Sequence, residues 1–511
     1  MRDDDKMKSE NPIINQILDA YKPIWSINHA ASLMGWDFET YMPRKGTEER
    51  GVADSQLHLL HKELLLSKNF VDLVGSAKKQ EEGLSDVEKG IIRVLDREIT
   101  RQLKIPKELT EAESLERIRG NMVWRQAREK SDFKMYEPHL KNMIEIKKQI
   151  AEKIGYEKHP YDALLDQFEE DLTVDDLDKV FGVLTPQIQK ILKKLIDSGS
   201  PFCNESSNSD HLGKSKYDVQ KVEELNREIL KLLQYDMERF RMDVSTHPFT
   251  EPLGLNDVRI TTRYEGTDFK RSISSTIHEA GHALYHLQCD QSLSVTPVEG
   301  GSSLGLHESQ SRFWENIVGR SRPFIQLIAP LIRKQVSFAS QSTDEELYLY
   351  FNNVKPDYIR VDADEVTYNL HIAIRYEIEK KIFSDELSIS EIPQFWNDRM
   401  EQLLGVRPTQ DSQGVLQDTH WSSGLFGYFP TYTLGNLVSA IIASKMRKDL
   451  NTYEEDIRKG NFEPIKEWLR LKIHQHGSVY APKVLLKNAF NIEGYNPDYF
   501  VTYIETKYLG S

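Results

Sequence analysis

The segment from Ser274 to Leu287 is a mainly apolar run with His278, Glu279 and His282 in its middle. That combination leaves few choices of local structure. No proline or turn cluster interrupts it, and Ile277, Leu284 and Leu287 supply apolar faces, so the spacing predicts a buried helix. Side chains at i and i+4 share a helix face, which aims both imidazoles at one point. The pentad His278-Glu279-Ala280-Gly281-His282 therefore has the spacing of two helical zinc ligands, with a carboxylate beside them to take a proton from water. With 15 histidines in 511 residues, chance supplies roughly 0.03 such pentads per chain, so a core helix with ordinarily paired histidines is the minor reading. Gly281 is a mild helix penalty.

A catalytic zinc takes three protein ligands, so a further donor is expected downstream. His286 is excluded by geometry, because it stands about 12 Å of helix rise from His278. A metzincin arrangement is excluded too, since Tyr285 and Gln288 occupy the positions where that pattern has Gly and His. Ser292 to Ser303, with Pro297, Gly300 and Gly301, reads as a connection, and a helical pattern restarts over Leu306 to Trp314. Glu308 on this second helix is the expected third ligand and His307 its rival. Neighbouring helix residues diverge by about 100°, so only one of them faces the metal. An i+4 ion pair with Arg312 is the plain alternative for Glu308. Arg312 also stands where a thermolysin-type site has an aspartate. A His, His, Glu set points to peptide hydrolysis, with zinc polarising the scissile carbonyl and Glu279 carrying the proton to the leaving amine.

The rest of the chain narrows the setting. A formal charge of −14 with no concentrated basic segment argues against a nucleic-acid partner. The start, Met1 to Lys6, is densely charged, and no stretch approaches the length of apolar residues that spans a membrane, so a cytoplasmic protein with no membrane partner is expected. Cys203 and Cys289 are the only cysteines and imply no disulfide framework. The sequon Asn204-Glu205-Ser206 carries no meaning without secretion.

Long amphipathic patterns over Asp86 to Leu103, Pro138 to Ile154, Val222 to Met237 and Val366 to Ile382 predict a mainly α architecture. Ser198 to Lys216 is the best loop candidate, yet similar helices flank it, so the whole chain, 1–511, is read as a single peptidase unit. One segment differs: Asp257 to Tyr264 alternates β-branched and polar residues and reads as a strand just before the metal helix. As an edge strand it would pair with an extended peptide; as part of a small structural sheet it would not touch substrate.

Six signatures in order, His247-Pro248-Phe249, Asp257-Val258-Arg259-Ile260-Thr261, the His278 pentad, His307-Glu308-Ser309-Gln310, Ile359-Arg360-Val361-Asp362-Ala363-Asp364 and Gly414 to Trp421, closely resemble the carboxypeptidase Taq family of zinc metallocarboxypeptidases, bacterial cytoplasmic type. The likeness runs from about Trp36-Asp37 to the C-terminal region. It implies a homodimeric, almost wholly helical enzyme with two lobes around a deep central groove and a small β-sheet beside the metal helix. It also implies one Zn2+ per chain, with Co2+ able to substitute, and removal of single C-terminal residues from peptides with broad preference, proline poorly. His278, His282 and Glu308 then stand as ligands and Glu279 as the catalyst. An exopeptidase must grip a free carboxylate, and arginine does so bidentately; Arg360 is the first choice, against an i+4 pair with Asp364. Tyr432 is the favoured phenol for the substrate carboxylate or developing oxyanion, with His420 and Tyr428 as alternatives. His247 and Arg259 are expected to shape the groove. The competing readings are a zinc oligopeptidase or endopeptidase and a silent zinc-containing interaction protein.

Overall fold

A computed structural model describes residues 7–80, 82–203 and 209–510; the charged start and the Asn204 sequon fall outside them. Helices dominate, and among the described residues the strands form a single three-stranded sheet. No helix among them is long and apolar enough to cross a membrane. The four amphipathic patterns are helices, at Asp86–Lys104, Phe133–Ile154, Val219–Leu232 and Tyr368–Phe383. The expected loop over 198–216 is broken by a helical turn at Pro201–Cys203 and a short helix at Ser209–Lys214. Cys203 and Cys289 are unpaired.

The described residues divide into two compact units, each assembled from three stretches of chain. The first takes in the described residues of 1–103, 208–351 and 442–491. Its N-terminal helices bury Ile14, Ile17, Leu65, Ile91 and Leu95 together. Its sheet consists of β1 (Phe240–Val244), β2 (Thr250–Gly254) and β3 (Asp257–Thr262), in the order β1-β3-β2. β3 runs parallel to β1 and antiparallel to β2. The strand predicted at Asp257 therefore exists but is central rather than an edge. Both its ladders are occupied, so it cannot add a peptide strand. Phe240, Met242, Val258 and Ile260 pack on Ala280, Ala283 and Leu287 of the helix Phe269–Leu287. At 100° per residue these three lie on the helix face opposite His278, so the sheet buries one side and leaves the histidine side for chemistry.

The second unit takes in the described residues of 104–207, 352–441 and 492–511. The helices Lys107–Lys130 and Phe133–Ile154 form a hairpin that turns at Ser131 in the left-handed region. A Thr173–Asp176 capping box starts the helix Val174–Asp197. The helix Tyr368–Phe383 is buried on nearly every face, as expected for an interior helix. It nevertheless carries Arg375 and Glu379, and both must find partners.

Candidate metal centre and arginine cluster

In the first unit, the helix Phe269–Leu287 presents His278 and His282, and the helix Leu304–Arg312 presents Glu308. Ser303 caps the second helix by accepting from Leu306 N. Gly281 explains how the two helices come so close. A Cβ there would sit 2.7 Å from Gln310 O and 2.7 Å from Ser311 Cα, so the residue read as a helix penalty is the point of contact.

The donor atoms of His278, His282 and Glu308 all lie within 4.8 Å of one another. Glu308 Oε2 is 3.7 Å from His278 Nε2 and 3.6 Å from His282 Nε2. Zinc with bonds of ~2.1 Å to tetrahedral ligands separates them by ~3.4 Å, close to both distances from Glu308. The remaining atoms are already committed. His278 Nδ1 is 2.9 Å from Glu315 Oε2, and His282 Nδ1 is 3.1 Å from His307 Nδ1. With both Nδ1 positions engaged, both Nε2 positions are left for a cation. His307 thus contacts His282 from behind, while Glu308 supplies the atom that faces both imidazoles. Burial and the neighbouring His286 hold His307 neutral.

Glu308 does pair with Arg312, Nε to Oε1 at 2.6 Å, but the pair is buried and leaves Oε2 facing the histidines. The plain alternative and the ligand geometry coexist. Directly after this helix a π-helical stretch, Phe313–Val318, carries Glu315, in keeping with the use of π turns at functional sites. Glu315 binds both Arg312 and Arg320. Burial opposes ionisation of Glu308 and Glu315, yet Arg312 and His278 hold Glu308 well below the usual carboxylate range, and Arg320 with Arg312 brings Glu315 to about 2. Glu279 is nearly buried, and its Oε2 accepts from Thr250 Oγ1 at 2.7 Å.

Two other expected residues lie on or beside the sheet. His247 is exposed on the connection between β1 and β2. Arg259 on β3 is committed to its own strand, donating to both oxygens of Asp257 at 2.8 Å and stacking on Trp36 at 4.6 Å.

In the second unit Arg360, Tyr432 and His420 come together. Arg360 does not pair with Asp364, which instead caps the turn at Val366 and Thr367. Arg360 Nε and Nη2 both donate to Asp418 Oδ1, at 3.0 and 2.7 Å, and Nη1 donates to Tyr368 OH at 2.9 Å. Its guanidinium carbon lies 5.0 Å from the Tyr432 ring centre. Asp418 Oδ2 accepts from Arg375 Nε at 2.7 Å. Burial would raise the Asp418 carboxyl, but Arg360 and Arg375 keep it far below the ordinary range. His420 Nε2 is 3.2 Å from Tyr432 OH, and burial lowers that imidazole to about 3, so it is neutral. Beneath this cluster Glu379 accepts from Trp421 Nε1 at 2.7 Å, from Gly427 N at 2.8 Å and from Tyr161 OH. Gly427 has φ +92°, and a Cβ there would meet Leu164 O at 2.6 Å, so this loop position demands glycine.

Sequence reasoning missed Glu315, Arg320, Arg375 and Glu379. Only Glu315 left a signal, since Glu308, Arg312 and Glu315 recur at i, i+4 and i+7.

The model of the Carboxypeptidase Taq (M32) metallopeptidase family matches residues 16–508. A thermostable carboxypeptidase 1 of Pyrococcus furiosus is 48% identical over 98% of this chain and 99% of its own length. A carboxypeptidase 1 of Bacillus subtilis is 38% identical over 96% and 97%. A solved Pyrococcus furiosus carboxypeptidase superposes with a TM-score of 0.95 at 47% identity, covering 98% of this chain and 99% of that one. The M32 carboxypeptidase of Deinococcus radiodurans superposes at 0.92 with 30% identity, covering 98% and 99%. This chain belongs to the carboxypeptidase Taq family of metallopeptidases and is a peptide-bond hydrolase.

Proposed function

From that membership, we propose that the protein is a zinc-dependent metallocarboxypeptidase that releases single C-terminal residues from peptides with broad preference and proline poorly. The observation that carries the reading is the convergence of His278 Nε2, His282 Nε2 and Glu308 Oε2, with Glu279 beside them on the same helix. These three side chains would hold the ion, and Co2+ would suit the same donors. When bound, the ion acidifies water and polarises the scissile carbonyl.

Glu279 takes the proton and returns it to the leaving amine. Glu315 and His307 keep the two imidazoles in the tautomer that offers Nε2. Arg360, held rigid by Asp418 and Tyr368, receives the substrate's terminal carboxylate. Tyr432, bonded to a neutral His420, offers its phenol to that carboxylate or to the developing oxyanion; Tyr428 is the alternative phenol. Arg259 and His247 contribute to substrate binding at most through shape. We further propose a cytoplasmic homodimer.

Glu279→Gln is expected to keep the metal and lose turnover by several orders of magnitude, since it removes the proton acceptor but no ligand. Near-normal turnover in the metal-replete variant overturns the mechanism. Undiminished cleavage of a C-terminally amidated peptide favours the endopeptidase reading instead.

A further inference from the structure

Thr250 opens β2 and turns its hydroxyl toward the metal helix. Its Oγ1 lies 2.7 Å from Glu279 Oε2 and 2.9 Å from the carbonyl oxygen of the same residue. A hydroxyl donates one proton. When Glu279 is ionised, that proton goes to the carboxylate, where charge makes the stronger bond. Glu279 Oε1 has no hydrogen-bond partner among the described residues.

We propose that Thr250 is a positioning residue for Glu279: its hydroxyl ties Oε2 to the sheet, fixes the rotation of the carboxylate, and leaves Oε1 as the oxygen that accepts and returns the proton. The inference rests on Glu279 as general base and adds which of its two oxygens does the work. A carboxylate on two or three rotatable bonds samples many orientations, and proton transfer needs one. A donor anchored outside the helix removes that freedom before substrate arrives. While Glu279 carries the proton on Oε1, Oε2 remains an acceptor for Thr250, and the nearby carbonyl is a second, so the hydroxyl is never stranded.

The anchor is stiff. Thr261 of β3 is fully buried, and its N–H donates to Phe249 O at 2.9 Å while its Oγ1 accepts from Phe249 N at 3.1 Å. Ser245 Oγ lies 2.7 Å from the same Thr261 oxygen. Phe249 is thereby clamped one residue before Thr250. β3 is itself fixed to the metal helix, through Val258 and Ile260 against Ala280 and Ala283 and through Thr276 Oγ1 to Thr262 Oγ1 at 3.0 Å. Thr250 and Glu279 are thus two points on one packed body. The signatures at His247-Pro248-Phe249 and at Asp257 to Thr261 flank Thr250 in the chain and the sheet. Holding its hydroxyl in place gives both a task that groove shape alone did not.

Thr250→Val keeps the shape and removes the donor; Thr250→Ser keeps the donor. In the metal-loaded enzyme acting on a free-carboxylate peptide, Thr250→Val is expected to lower kcat by roughly 10- to 100-fold. KM should stay within about twofold and the metal content at the wild-type level, as befits an interaction that serves the chemical step. Thr250→Ser should restore most of the rate. An unchanged kcat in Thr250→Val overturns the proposal. So does loss of metal, or failure of serine to rescue, because either makes Thr250 a structural tie. Glu279→Gln measured alongside separates the two ideas. If it is inactive while Thr250→Val is not, only the Thr250 inference falls; if it turns over normally, both fall.

Discussion

The two charged clusters are both buried and both built from arginine and acid, yet they are left with opposite needs. In the first unit Glu308 and Glu315 pair with Arg312 and Arg320, and Glu279 lies on the helix that carries His278 and His282. In the second, the guanidiniums of Arg360 and Arg375 share the single carboxylate of Asp418. Burying an unbalanced charge is costly unless something completes it. The first cluster turns three donor atoms, of His278, His282 and Glu308, toward one another, the arrangement proposed to hold a cation. The second sets two guanidiniums on one carboxylate and keeps part of a planar donor fork uncommitted, the arrangement proposed to receive a carboxylate. The two clusters thus differ in the ratio of acid to arginine among their ion pairs.

The sharpest way to break this contrast is to delete a ligand. His282→Ala is expected to abolish stoichiometric metal and turnover together, read by elemental analysis and peptide hydrolysis. Full metal content in that variant places the cation elsewhere. Next in size is Arg360→Ala. It should leave the metal untouched and lower kcat/KM on free-carboxylate peptides by roughly a hundredfold or more, with little change on an amidated peptide. Equal losses on both peptides remove the anion receptor from the comparison. A smaller effect sharpens it: Glu315→Gln keeps every ligand but weakens the hold on the His278 tautomer, and metal affinity measured against a chelator should fall by about 10- to 100-fold.

How much of this was legible follows from sequence distance. The helix with His278 and His282 and the next helix with Glu308 are written in local periodicity, and both are present as helices. The strand at Asp257 was legible too, but not its position in the sheet. Its parallel partner at Phe240–Val244 leaves no mark within the strand itself, and one ladder more or less decides whether it is an edge. The partners that orient the site are the least visible. Glu315 lies 37 residues from His278, Asp418 58 from Arg360, and Tyr161 218 from Glu379. Gly281 shows the same limit in reverse, since helix propensity recorded its cost while only the neighbouring helix reveals its use.

The smallest expected effect separates the clusters by their response to acid. Glu379, under the arginine cluster, is fully buried and raised by that burial to about 7 from an ordinary 4.5. Below about 4.5 it is protonated folded or unfolded; between there and 7 only the folded state takes the proton; above 7 it is ionised in both, and folding bears the whole cost of the buried charge. Its stabilising contribution is therefore present at low pH and lost as pH rises through 7, amounting to about 3 kcal/mol at most. Glu308 and Glu315 behave oppositely. Their depressed values stabilise the fold above about 4.5, a contribution lost as pH falls toward about 2 for Glu315. Glu379→Gln cannot titrate. The unfolding free energy of the wild type relative to this variant should fall as pH rises from 5 to about 7 and level off above it, whatever constant amount the amide loses beside three donors. A difference that stays flat over that range means the buried carboxyl is not proton-hungry, and the opposition between the two clusters would then hold for their ligands but not for their acid response.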